Sequence, residues 1–131
     1  MKDRKEHLVL FGLGCADLKL VEKNLEDEEI SGQLLLFHLQ QAVEKFLKSL
    51  LSFKDIKFAK VHDIEALIES CEDNSIELPE YVEEFVGLTP YAVGFRYGLV
   101  VEEISDLPYY YRKVSQLKVF IEGRLSPKGE L

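Results

Sequence analysis

Between Leu35 and Leu50, apolar residues return every three or four positions: Leu35, Leu39, Ala42, Phe46 and Leu50, with Val43 beside them. That is the period of one helix face. No proline precedes Pro79, so nothing of that kind breaks a helix over about Glu28 to Ser52, about seven turns long. The opposite side carries Gln40, Glu44 and Lys48. An amphipathic helix of this length must lay its stripe on other elements, and the surrounding sequence reads as helices too.

A first helix is expected over about Asp3 to Asn24, with Leu10, Leu13, Leu18, Val21 and Leu25 apolar. The acidic run 26–29 reads as a helix boundary, its charges suited to the positive N-terminus of the next helix. Phe53 to Lys60 reads as a loop. Asp63 to Cys71 reads as a short helix burying Ile64, Leu67, Ile68 and Cys71. Pro79 suits the first turn of another helix with Tyr81, Val82, Phe85 and Val86 inward. Thr89 to Ser105 is punctuated by Pro90, Gly94 and Gly98 and reads as either strand or helix. The last helix starts near Asp106 and Pro108 and carries Leu107, Tyr110, Val114, Leu117 and Ile121. The expected architecture is all-α: an antiparallel up-and-down bundle of four to five helices, one domain over 1–125 with a frayed tail at 126–131.

Length and charge narrow the function. At 131 residues the chain can build a core without staples. Its formal net charge of −8 argues against an extended nucleic-acid-binding surface and against a polybasic membrane surface. No apolar run exceeds Leu34 to Phe37, far short of a membrane span. No signal-peptide pattern is read, so the expected compartment is the cytoplasm. Cys15 and Cys71 fall on apolar faces and read as small buried hydrophobes, not a disulfide framework.

Several familiar chemistries find no match. There is no G-x-S-x-G elbow and no phosphate-binding P-loop. Gly12-Leu13-Gly14 has Asp17 where a third glycine belongs, and no strand precedes it. His7, His38 and His62 lack metal-ligand spacing, so no metal or other cofactor is expected. Asp17 stands out, because it projects between Leu10, Leu13, Leu20 and Val21. A carboxylate there needs a partner. It is one half of an ion pair tying the first helix to a basic residue elsewhere, Arg96 being one candidate, or a site carboxylate in an inter-helix groove, or simply exposed. His38, Gln41, Lys45 and Lys48 share one face of the second helix. They form either a solvated margin or a row that meets anionic groups. His62 and Asp63 either cap the third helix or belong to a site. Arg96 and Tyr97, between Gly94 and Gly98, suit a phosphate or carboxylate contact, or a structural salt bridge.

Four stretches then converge on a known family. Gln41-Ala42-Val43-Glu44-Lys45-Phe46-Leu47-Lys48-Ser49-Leu50 resembles the HEPN pattern Q-A-x-E-K-x-x-K-(A/S)-L. Val61-His62-Asp63-Ile64-Glu65-Ala66-Leu67 resembles its T-H-(D/N)-L-x-x-L, with Val61 in place of Thr. Ala16-Asp17-Leu18 and Arg96-Tyr97 match its remaining elements, with Gly98 where Pro often follows. Order and spacing agree over about residues 8–121. The resemblance implies a helical bundle, usually dimeric, that binds nucleotides. Many members are RNases, often toxins paired with a minimal nucleotidyltransferase antitoxin, and others accompany nucleotidyltransferase domains without cutting RNA.

The RNase members share R-x(4–6)-H. The arginines here are Arg4, Arg96, Arg112 and Arg124, and every histidine lies at or before His62. Beyond Arg4 the required positions hold Val9, Leu10 and Phe11. Beyond Arg96 they hold Val101, Glu102 and Glu103. No imidazole stands where the RNA 2′-hydroxyl would need activation, so no catalytic residue is expected. The resemblance implies a non-catalytic homodimer that binds a nucleotide or a nucleotidyltransferase partner. Arg96 would be the anion contact and Tyr97 a stacking ring. Gln41, Lys45 and Lys48 would line the groove, with Asp17 orienting a basic side chain. Two alternatives compete: a divergent RNase toxin built on Arg96 with Glu102 or Glu103, and a purely structural dimerisation module.

Overall fold

The computed structural model describes residues 5–58, 63–98 and 106–126, apart from the side chains of Phe95 and Arg96. The described residues are all-helical. In order they form α1 (Glu6–Asn24), α2 (Gly32–Phe53), α3 (Ile64–Asp73), a 3₁₀ helix (Glu80–Leu88), α4 (Thr89–Tyr97) and α5 (Leu107–Leu125). The expected tail falls mostly on 127–131, outside the described residues.

The helix starts follow from local chemistry. α2 begins at Gly32 rather than near Glu28, because the Ser31 hydroxyl accepts from the backbone N–H groups of Gln33 and Leu34. The acidic run instead turns on itself, with Asp27 accepting from the Glu29 N–H. Asp63 caps α3 by accepting from the Ala66 N–H at 3.3 Å, and Asp106 caps α5 through the Tyr109 N–H at 3.1 Å. The segment after Pro79 winds as 3₁₀ rather than α. Its buried residues Val82, Phe85 and Leu88 are spaced by three, the 3₁₀ period. Pro90 prevents a continuous α-helix through this region, because its ring would clash with the carbonyl four residues back. The unclear stretch is helical as far as Tyr97. It ends at Gly98 in the left-handed conformation (φ 66°), which glycine adopts without strain.

α1 and α2 are antiparallel. His7 meets Phe53 and Phe11 meets Phe46, while Asp17 meets His38 and Lys45. α5 ends beside the C-terminal end of α2, since Arg124, Leu50 and Lys54 line one cleft. The bundle is therefore organised around α2, which touches α1, α3, α4, α5 and the 3₁₀ helix. That central place overturns the expected polar back of α2: Gln40 and Glu44 are buried with the apolar residues.

α1 also differs from expectation. Gly14, Leu18 and Val21 form its buried face, whereas Leu13 lies outward. The reason is a close approach at Gly14. A Cβ there would come within 2.7 Å of the Phe46 ring. Only glycine lets α1 settle onto Phe46 in this rotation, and the rotation turns Leu13 away. Cys71 is buried as expected, while Cys15 is half-buried beside Lys118 and Glu122 of α5. Among the described residues, no helix is long and apolar enough to cross a membrane.

Candidate functional site

The residues singled out on α1 and α2 form a polar seam where the two helices meet. Asp17 lies one turn beyond Gly14, so the Gly14–Phe46 contact brings its carboxylate against α2. The side chain is 13% exposed. Lys45 Nζ donates to Asp17 Oδ2 at 2.5 Å, and His38 Nδ1 sits 3.0 Å from Oδ1. His38 and Lys45 are two turns apart on α2, so one carboxylate spans both. Among the described residues these are the partners of Asp17. The side chain of Arg96, the other candidate, lies outside them.

A second cluster adjoins the first. The Glu44 carboxylate is 3% exposed, and a buried charge is tolerated only with several donors. Gln40 donates to it, Gln41 Nε2 lies 3.5 Å from it, and Lys48 Nζ donates at 3.4 Å. Gln41 also donates to Gln40 at 2.8 Å. Lys48 lies over the Phe58 ring, 5.9 Å from its centroid, so its stem and head are both held. The row His38, Gln41, Lys45 and Lys48 is a half-buried margin in which every member has a carboxylate or amide partner. Lys45 and Lys48 keep part of their surface at the boundary with solvent.

Gln40 and Glu44 are members of the seam that sequence reasoning placed on a polar face. The signal for Glu44 was its place in the Q-A-x-E-K pattern. Gln40 carried none beyond adjacency to Gln41.

The remaining candidates stand elsewhere. Tyr97 is the last residue of α4 and 68% exposed, free of the core that holds the seam. Arg96 precedes it on α4. His62, Glu102 and Glu103 lie outside the described residues. Asp63 acts as the cap of α3. Among the described residues, no three His, Cys, Asp or Glu side chains group as metal ligands would.

Two clefts lie away from the seam. One, about 480 Å³, runs between α3 and the 3₁₀ helix and is rimmed by Glu72, Glu77, Glu80 and Glu83. Four carboxylates repel a phosphate, so this cleft does not suit a nucleotide. The other, about 720 Å³, has Lys54 and Arg124 with Glu77 at its edge. Both cations there already lie over rings, Lys54 on Phe53 and Arg124 on Phe120.

No curated protein and no solved structure matches the chain. A family model, the HEPN domain, matches residues 14–120. That span runs from Gly14 almost to the end of α5 and includes the whole seam. The domain points to a nucleotide-related or RNase-like helical protein. With the match covering most of the chain, and with the all-helical bundle it requires, the chain belongs to the HEPN family.

Proposed function

We propose that this is a non-catalytic HEPN protein that acts in the cytoplasm as a homodimer, in a toxin–antitoxin-like pair with a nucleotidyltransferase. Its seam binds that partner, a nucleotide, or the two together. The observation that carries this reading is the pairing of Lys45 with Asp17 and of Lys48 with Glu44. Each ammonium is held at the boundary of the bundle by a carboxylate behind it. An ammonium carries three donors, so a lysine fixed in this way can meet an incoming anionic group at low entropic cost. Arg96 and Tyr97, which stand apart from the seam on α4, offer an anion contact and a stacking ring to a ligand or partner that reaches both. Val101, Glu102 and Glu103 stand where the RNase pattern requires histidine, which favours binding over cutting.

The test is calorimetric titration with ATP, GTP and AMP, repeated with Lys45→Met. Saturable binding that Lys45→Met weakens supports the nucleotide arm, and no binding at millimolar ligand removes it. Co-expression with a small nucleotidyltransferase encoded beside this chain tests the partner arm. RNA cleavage by the purified protein overturns the non-catalytic reading.

The burial of Asp17 and Glu44 favours a second reading, in which the seam is purely structural. Lys45→Met would then lower stability and leave ligand and partner binding unchanged.

A further inference from the structure

α1 carries two apolar faces. One packs in the core through Leu18 and Val21. The other consists of Val9, Leu13, Ala16 and Leu20 and looks outward: Val9 is 58%, Leu13 48% and Leu20 40% exposed. Their spacing of four, three and four residues is that of a coiled-coil seam, which expects a second helix against it. Among the described residues, the neighbours of α1 do not supply that helix. α2 meets it through Gly14 and Asp17, and α5 lies near Cys15.

We propose that the outward stripe is the contact between two copies of this chain, α1 packed antiparallel on α1 about a two-fold axis. The proposal rests on the homodimer reading above and assigns its face. The occupant is a second copy because the stripe is complementary to itself. With the axis between Leu13 and Ala16, Leu13 faces the small Ala16 of the partner subunit. Val9 then faces Leu20 of the partner subunit. One layer further out, Glu6 faces Lys23 of the partner subunit, at both ends of the contact. A parallel pairing in register instead sets Glu6 on Glu6 and Lys23 on Lys23. Charge thus selects the antiparallel arrangement. Among the described residues, neither Glu6 nor Lys23 forms an ion pair within its own chain. Gly12 flanks the stripe with open space above its Cα, so the helices can approach closely. Such a contact is isologous and closes at two subunits.

The test uses charge reversal at Glu6 and Lys23, neither of them buried, with helicity checked by circular dichroism. Sedimentation equilibrium of the intact chain should give a dimer. Glu6→Lys alone and Lys23→Glu alone should each raise the dimer dissociation constant on the order of tenfold or more, by placing like charges at both ends. Mixed one to one, the two variants should recover a dimer, now a heterodimer, because every end layer again pairs opposite charges. Leu13→Asp should give a monomer. A monomeric parent protein overturns this proposal together with the homodimer reading. A dimer that resists all three variants overturns only the assignment to α1. Single variants that dissociate without pairing when mixed overturn the antiparallel register.

Discussion

Lys45 on α2 reaches across the helix boundary to Asp17 on α1, with Nζ 2.5 Å from Oδ2. The carboxylate is largely buried, and His38 shares it. Asp17→Asn and Lys45→Met should each destabilise the bundle. The double variant should lose less than the sum, with a coupling of about 0.5–3 kcal/mol. Urea denaturation of the four proteins in the cycle measures it. Additive losses would show that the contact contributes nothing to folding.

Lys48 is the charged partner of a deeply buried acid. Removing its head in Lys48→Met takes a donor from Glu44 and should cost roughly 1.5–3 kcal/mol, the range for hydrogen bonds to charged groups. Adding Glu44→Gln to that variant removes the charge that was left short and should recover part of the loss. If the second substitution makes matters worse, Lys48 is not the main compensation for Glu44.

Two glycines in helices should respond with opposite signs. Gly14→Ala drives a methyl into the Phe46 ring and should cost about 1–3 kcal/mol in overpacking, only partly offset by helix propensity. Gly123 on α5 has open space above its Cα, so Gly123→Ala should stabilise by roughly 0.5–1 kcal/mol. Thermal melts of the two variants, read side by side, separate the close approach from simple propensity.

Burial pushes the Cys71 thiol from its ordinary value of 9.0 up to about 12, with Glu72 adding to the shift. The folded chain therefore holds the proton where the unfolded chain releases it. The thiol's contribution to stability is complete below pH 9 and declines as pH rises from 9 towards 12. Chemical denaturation at pH 8, 9 and 10 should show that decline, and Cys71→Ala should flatten it. Thiol reagents at pH 8 should leave Cys71 unmodified until the chain unfolds.

How far the sequence could be read depended on the kind of information each feature needed. The α2 stripe was plain because period alone defines a helix face. The cap at Asp63 and the start of the last helix near Asp106 were visible because capping and helix starts are local. Asp17 announced itself as a carboxylate among apolar residues, but its partners depend on the register of α1 against α2. That register rests on contacts along both helices, among them His7 on Phe53 and the close approach of Gly14 to Phe46. The same close approach decided which arc of α1 faced inward, and two apolar arcs on one helix look alike until a neighbour chooses. Gln40 and Glu44 misled for a related reason. A polar side of a helix looks solvated until five other elements surround it.

The 3₁₀ helix over Glu80–Leu88 has a consequence for how the molecule breathes. Nine residues is long for this winding, whose hydrogen bonds are poorly aligned. The segment is held by Val82, Phe85 and Leu88 and by the hydroxyls of Tyr109 and Tyr110, which donate to Glu84, while Glu80 and Glu83 face water. Its amide hydrogens should exchange with solvent through local opening, long before those of α2, which need the whole bundle to come apart. The chain then has two tempos: a slow clock in its central helix and a fast one in the short strap beside α3.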